Sequence, residues 1–530
     1  MRSIFIGASF LVLALNGLIY LVWPPVLWSL ILFGPLILVG FRDMAQTRHS
    51  VLRNFPVVGH MRYLLELISP EIRQYFIESD TSGAPFNRQE RSVVYERAKN
   101  VRDTVPFGTV RDVYATGYEW VNHSLSPKHL DLEEVRVLVG GKDCKQPYNA
   151  SLLNISAMSY GALSQNAVIA LNKGAKMGNF AHNTGEGSIS PYHLQGGDLI
   201  WQVGTGYFGC RTDEGKFNPD MFKGKSALEE VKMIEIKLSQ GAKPGHGGIL
   251  PAAKLTEEIA SIRSVPMGKD VNSPPGHTAF SNPTELMHFI QQLRELSGGK
   301  PIGFKLCVGK RREFLSICKA MLKTGITPDF ITVDGGEGGT GAAPLEFTNR
   351  IGTPLVEGLI FVHNSLVGFD LRKEMRICTS GKITTGFDII KRLAMGADLC
   401  YSARGMMMSL GCIQALKCNT NTCPVGVTTQ DPGLVVGLVP EDKCKRVYNF
   451  QKNIIKSACE MMGAMGLEKT DDLKPWHLMR RTEAYEIRNY SEIYDFLKPG
   501  DLLKKSLPVS YARAVEAANA ESFNDIHPSV

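Results

Sequence analysis

Residues 302–341 read IGFKLCVGKRREFLSICKAMLKTGITPDFITVDGGEGGTG. Two short β-rich apolar runs, IGFKLCV (302–308) and DFITVDGG (329–336), flank a longer helical stretch, and the second run closes on glycine. Such a unit predicts strand, helix, strand. Working outward, the rhythm recurs from about residue 150. Further runs are LLNISAMS (152–159), NFAHNTG (179–185), MIEIKLSQ (233–240), DVNSPPGH (270–277), RICTSG (376–381) and LCYSARG (399–405), with helical stretches such as PTELMHFIQQLREL and FDIIKRLAM between runs. Eight strands alternating with helices predict a parallel sheet closed into an α/β, (β/α)8 TIM barrel, with an open doubly wound sheet as the alternative. The fourth run fits least well, because Pro274-Pro275 is unusual in a central strand.

The remaining chain divides around this barrel. The expected organisation is a two-helix transmembrane hairpin over 1–41, a linker and helical preface over 42–145, the barrel over 146–432 and a helical extension over 433–530. In the extension, YNFQKNIIKSACEMMGAMGL spaces apolar residues at three and four and is expected to pack on the barrel. From Ser3 to Phe41 there is no charged residue, which is too long for one membrane span and suits two, broken at Trp23-Pro24-Pro25. Trp23 and Trp28 suit an interfacial belt. Arg2 precedes the first half, and Arg42, Arg48, Arg53 and Arg62 follow the second, so both ends are expected on the cytoplasmic side. A cleaved signal peptide would have an overlong apolar region here and lacks an A-x-A-like site. The expected location is therefore the cell inner membrane, with a cytoplasmic catalytic domain.

Composition excludes some classes. The 44% hydrophobic and 21% charged content is that of a globular protein. The net charge of +7 is spread along the chain without a basic, aromatic-interleaved run, which argues against nucleic acid as a partner. Eleven cysteines are too sparse and odd in number for a secreted disulfide framework.

Barrel enzymes carry their chemistry on the loops after the strands. After the sixth run, Gly335, Gly336, Gly338, Gly339 and Gly341, with Thr340 among them, leave backbone free to approach a ligand. Gly336 to Gly341 match G-x-G-x-x-G, but no acidic partner supports a dinucleotide fold. The next strands end in TSGKITTG and YSARG, where Ser380, Gly381, Ser402, Ala403 and Arg404 can cradle a phosphate. A phosphate-bearing cofactor across a barrel mouth suggests FMN, with Ala157, Met158 and Ser159 from the first run beside it. Glu235 and Lys237 share one strand face opposite Ile234, Ile236 and Leu238, so both charges point into the barrel. Lys305 has the same setting. A structural Glu–Lys pair and an electrostatic site polarising a carbonyl both fit. Glu186 is a further polar candidate. His182, His246 and His277 show no metal-ligand spacing and read as hydrogen-bonded loop residues, and no G-x-S-x-G elbow occurs.

Residues 409–426, SLGCIQALKCNTNTCPVG, place Cys412, Cys418 and Cys423 just after the eighth strand. A disulfide does not suit a cytoplasmic domain, and zinc usually takes four ligands or C-x2-C steps. Three thiolates can hold a cuboidal cluster lacking one iron, but the spacing also fits plain buried thiols.

KCNTNTCPVGVTTQDP (417–432) closely resembles the cysteine loop of the glutamate synthase large subunit. So do NTGEG (183–187), EIKLSQGAKPGHGGILPAAKLTEEIASIR (235–263), SPPGH (273–277), KL (305–306), DGGEGGTGAAPL (334–345) and SGKITTGFDIIKRLAMGAD (380–398) in their own motifs. The likeness runs from about residue 130 to 480. It implies an FMN-bearing barrel with a [3Fe-4S] cluster on Cys412, Cys418 and Cys423. It also implies reduction by FMNH2 of an imine made from 2-oxoglutarate and ammonia, with electrons arriving through the cluster from a ferredoxin, a reductase subunit or a quinone. Lys305 and Glu235, with Lys237, fall where that family works near flavin and substrate. Three departures stand out. A membrane hairpin replaces the N-terminal glutaminase domain, the C-terminal β-helical domain has no counterpart, and CVGKRREF replaces a Gly-rich loop serving the keto acid. The substrate is therefore expected to be 2-oxoglutarate or a related 2-oxo acid with ammonia or an amine. The rival readings are a membrane dehydrogenase of amino or hydroxy acids that passes electrons to quinone, and a non-catalytic scaffold.

Overall fold

The computed structural model describes residues 1–101, 104–131 and 135–524. The chain forms two compact units, Met1–Arg88 and Gln89–Val530. In the first, helix α1 (Arg2–Tyr20) leads through a 3-10 turn (Pro24–Ser29) into α2 (Leu30–Ala45), and α3 (His60–Ile72) follows. The segments Arg2–Tyr20 and Pro24–Ala45 are long and apolar enough to cross a membrane, by length and composition.

The second unit is built on a closed barrel of eight parallel strands. These are β1 (Leu153–Ile155), β2 (His182–Asn183), β3 (Leu199–Val203), β4 (Val231–Lys237), β5 (Ile302–Cys307), β6 (Phe330–Asp334), β7 (Arg376–Ser380) and β8 (Leu399–Ser402). Seven coincide with the expected runs, and the fourth run is corrected. Within DVNSPPGH only Val271–Asn272 is extended, and it pairs antiparallel with Ile249–Leu250 outside the barrel. Pro274 and Pro275 cannot donate to a ladder. The missing strand is LIWQV, whose five residues are all buried. It shows no alternation because both its faces are covered. MIEIKLSQ thus supplies the fourth strand rather than the third.

Side chains at every second position fill the barrel in layers. At the base, Ala181, Ile200, Met233, Phe330 and Cys378 form an apolar cluster. Val139, Tyr148 and Ala150 of the hairpin Arg136–Val139/Tyr148–Ser151 plug it from below. Phe330 lies so close to β5 that a Cβ on Gly303 would fall 2.4 Å from its carbonyl oxygen. One carboxylate ties this base together. Asp329 is 1% exposed and accepts from Arg294 Nη2 (3.0 Å), Ile302 N (2.8 Å) and Gly141 N (2.7 Å). It thereby joins α4 (Pro283–Leu296, with Asn282 capping Glu285 N), β5, β6 and the plug.

The C-terminal helical stretch forms Pro440–Ala464 and packs on the barrel helices Gln165–Gly178 and Gly386–Ala394, as its periodicity predicts. Its Gln451 donates to Ser151 Oγ and Leu153 O at the foot of β1. Asp329→Ala is expected to destabilise the second unit by about 3–5 kcal/mol, because it strands the buried Arg294 charge and two N–H groups. Guanidinium unfolding followed by tryptophan fluorescence measures it.

Candidate functional site

Above the apolar base the barrel interior turns polar, and the strand period accounts for it. On β4 the inward column is Met233, Glu235, Lys237; on β6 it is Phe330, Thr332, Asp334. Glu235 is 0% exposed. It accepts from Asn183 Nδ2 (2.9 Å) and Gln202 Nε2 (2.6 Å) at Oε2 and from Thr332 Oγ (2.6 Å) at Oε1. Strands β2, β3 and β6 therefore converge on one carboxylate.

Lys237 and Lys305 are opposite one another across β4 and β5. Two like charges there would repel, and each has its own acid. Lys305 Nζ lies 3.1 Å from Asp334 Oδ2, and Lys237 Nζ lies 3.1 Å from Glu186 Oε1. Burial works against the Lys305 ammonium, but the charges of Asp334 and Glu235 outweigh it and hold its pKa above the ordinary lysine value. Burial likewise opposes the Glu186 carboxylate, and Lys237, Arg263 and Lys243 together keep its pKa below the usual range. The sequence placed Glu235, Lys237 and Lys305 inside the barrel. It did not show that each ion pair joins two different elements, nor that Asp334 completes one of them. Alternation from Phe330 through Thr332 to Asp334 is the signal that finds Asp334.

A shallow cleft opens beside Lys237, lined by Glu186, Ser239, Gln240, His246 and Pro274 among others. The displaced SPPGH segment is thus part of this wall, held by Thr205 Oγ donating to Pro274 O (2.6 Å). Lys243 approaches the cleft's charges. Burial first, then the charge of Lys237, brings its pKa down to about 8. His277 accepts from Tyr207 OH at Nδ1 (3.0 Å) and donates from Nε2 to Lys237 O (2.9 Å), with burial lowering its pKa to about 4. His246 bonds Gly247 O (3.0 Å), so both are hydrogen-bonded loop histidines. His182 instead lies buried on β2, and neither ring nitrogen has a partner among the described residues.

The other side of the mouth carries the expected cofactor residues. Ser156, directly after β1, and Ser380 on β7 share a hydrogen bond of 2.9 Å, and Ser402 on β8 donates to Ile383 O. Arg404 reaches across to donate to Glu337 O (2.8 Å) in the Gly-rich loop. Ala157, Met158, Ser159, Gly381 and Ala403 are half-buried around these groups, whereas Gly339, Thr340 and Gly341 face solvent. The loop's root is tight: a Cβ on Gly241 would fall 1.7 Å from Gly335 O. A guanidinium, a set of hydroxyls and close-approaching backbone fit a flat, phosphate-bearing cofactor.

All eleven cysteines are free thiols. Burial pushes Cys412 up to about 11, with Cys418 and Cys423 adding their charges. Cys423 differs. Burial would raise its pKa, but the Thr428 hydroxyl and the N–H groups of Thr428, Val425 and Val427 outweigh it and hold the pKa below the ordinary thiol value. That environment favours a thiolate, the ligating form. The loop is anchored by Tyr95 OH to Cys412 O (2.7 Å) and by Lys254 Nζ to Cys418 O (2.7 Å) and Thr428 O (2.6 Å). Among the described residues no three His, Cys, Asp or Glu side chains are grouped tightly enough to hold a metal ion as they stand. Tyr95 and Lys254 lie far from the loop in sequence, and no local pattern marks them. The basic run after β5 is partly absorbed by packing: Arg311 lies over the Phe361 ring at 5.3 Å and Arg312 pairs with Glu313 at 3.7 Å.

Comparison with known proteins gives consistent matches. Residues 110–468 match the conserved region in glutamate synthase. The chain is 39% identical over 498 residues to the glutamate synthase large subunit-like protein YerD of Bacillus subtilis, covering 86% of this chain and 94% of that one. It is 34% identical over 360 residues to the archaeal glutamate synthase (NADPH) of Methanocaldococcus jannaschii, covering 66% and 67%. It is 31% identical over 329 residues to the glutamate synthase (NADPH) large chain of Bacillus subtilis, of which the match spans 20%.

The polar hub gives a direct test. Glu235→Ala removes one acceptor from three buried donors and one counter-charge from Lys305, so the melting temperature is expected to fall by several degrees. Glu235→Gln, which keeps an acceptor oxygen, is expected to retain more than half of that loss in differential scanning calorimetry.

Proposed function

The chain belongs to the glutamate synthase family and is a glutamate synthase-like oxidoreductase, and from that premise we propose an FMN- and iron–sulfur-dependent enzyme. Its proposed reaction reduces the imine of 2-oxoglutarate, or a related 2-oxo acid, and ammonia or an amine to an amino acid. The observation that carries this reading is the Lys305–Asp334 pair, buried beneath the mouth and kept charged by Asp334 and Glu235. Ser156, Ser380, Ser402 and Arg404 would hold the FMN phosphate end, and Lys305 would face the flavin and the acceptor. FMN, when bound, supplies the hydride. A [3Fe-4S] cluster on Cys412, Cys418 and Cys423 would supply single electrons, and the donor-rich surroundings of Cys423 support that assignment.

The chain's own groups then have definite tasks. Lys237, Lys243 and Arg263 concentrate positive charge around the cleft and draw in a dicarboxylate. Lys305, permanently protonated at neutral pH, polarises the acceptor and stabilises negative charge as it develops. Glu235 keeps Lys305 in place and charged. The two membrane-length helices favour a second reading, in which the enzyme oxidises an amino or hydroxy acid and delivers electrons to a membrane quinone. In either case the catalytic unit is proposed to lie on the cytoplasmic face of the inner membrane.

Purified protein is expected to show flavin absorbance and about three irons per chain. Cys418→Ser should lose iron and keep flavin, and unchanged iron content would remove the cluster assignment. Rapid mixing separates the two directions: reoxidation of reduced flavin by 2-oxoglutarate with ammonia supports the synthase reaction, and flavin reduction by amino or hydroxy acids supports the dehydrogenase. Lys243 adds a pH signature. It is a cation below about 8 and neutral above, so the KM for 2-oxoglutarate should rise as pH passes upward through that value. Lys243→Gln should raise KM about tenfold at pH 7 and flatten that limb of the profile.

A further inference from the structure

Helix α3 follows the two apolar helices and is amphipathic. Met61, Leu64, Leu65, Ile68 and Ile72 recur at steps of three and four along one face, and Arg62, Glu66 and Arg73 lie about a third of a turn away from it. A surface helix ordinarily buries its apolar stripe against a core. Here Met61, Leu64, Leu65, Ile68 and Ile72 are 57%, 51%, 52%, 38% and 36% exposed, and the following turn exposes Tyr75, Phe76 and Ile77 as well. The polar face is internally satisfied, with Arg62 Nε 2.9 Å from Glu66 Oε1.

The start of α3 is pinned at a definite level. Asp43, in the last turn of α2 and 3% exposed, accepts from Val57 N (2.9 Å) and from His60 Nε2 at both oxygens (2.9 Å). Val57 holds a left-handed φ of 64°, costly for a β-branched residue, and the Asp43 bond to its N–H helps maintain that turn. Asp43 adjoins Arg42, the first charge after the uncharged stretch from Ser3 to Phe41. If α2 crosses a bilayer, the headgroup region begins there. The latch therefore fastens the first turn of α3 at the lipid–water boundary. Thirteen residues of helix reach only about 20 Å, and the charged face forbids spanning, so the geometry suits a helix lying in the interface.

We propose that α3 and the turn after it form a lipid-surface docking element, with the Met61–Leu64–Leu65–Ile68–Ile72 face seated in the bilayer interface and Arg62 and Arg73 at headgroup level. This rests on the membrane reading of α1 and α2 and adds a third, in-plane contact to it. The occupant is the bilayer rather than a second protein, because the apolar face is continuous in sequence with membrane-length helices and is latched to the charged end of one of them.

The test uses the full chain reconstituted in vesicles of phosphatidylcholine and phosphatidylglycerol, with benzoylphenylalanine placed singly at Leu65, Glu66 or Leu11. Lipid adducts at Leu65 and Leu11 with at least fivefold fewer at Glu66 are the expected result. Adducts at Leu11 but not at Leu65 overturn the docking element and leave the spanning helices standing. Adducts at neither position overturn both. A chain-to-chain adduct at Leu65 overturns the proposal in favour of a second copy as the occupant. Since Leu65 and Glu66 both face outward, neither substitution disturbs packing.

Discussion

A buried carboxylate without partners would not stay charged inside a barrel, and Glu235 is the constraint around which the interior is arranged. Its three donors come from β2, β3 and β6, and the Lys305 charge stands on the neighbouring strand. Desolvating such a group costs several kcal/mol, which only well-placed donors and a counter-charge offset. The arrangement holds only if all five strands, β2 to β6, keep their register. A slip of one residue would swing Glu235 into the apolar layer between sheet and helices and bring Ile234 or Ile236 inside. The polar layer thus specifies the alignment of the strands as firmly as the apolar base does.

From that layer upward, charge is organised in alternating pairs. Lys305 has Asp334, Lys237 has Glu186, and Lys243 and Arg263 add positive charge toward the cleft. Burial acts on every member, and its effect depends on what stands next to it. Lys305, between two carboxylates, remains more basic than usual, while Lys243, beside another lysine, becomes less so. Two lysines on one rim thus hold protons of very different affinity, one permanent and one labile near neutrality.

The barrel was legible because its strands end on small residues and its helices keep their period. The one misplacement is instructive. LIWQV carries β-branched and aromatic residues yet no alternation, since Trp201 stacks on Phe222 outside while Gln202 faces the interior. DVNSPPGH imitated a strand by ending on the right residues, although its two prolines belong to a loop wall. Inward placement of Glu235, Lys237 and Lys305 followed from period two alone. The partners Asn183, Gln202, Asp334 and Glu186 come from other strands and loops, and pairing between elements leaves no mark in local pattern. The cysteine motif was visible, but the donors around Cys423 were not, because two of the three N–H groups sit on residues whose side chains are plain valines.

Lys254 shows how late this site comes together. Its buried ammonium donates to Ala162 O, Cys418 O and Thr428 O, partners separated from it by 92, 164 and 174 residues. Contacts of such long range form only after the intervening chain has been gathered, so they belong to the end of folding. A nascent chain has no place to seat the cysteine loop until the eighth strand has closed the ring. Any group the loop takes up is then taken up by an already folded barrel, and a chain interrupted before residue 428 would expose its thiols without the Thr428 carbonyl through which Lys254 fastens the loop.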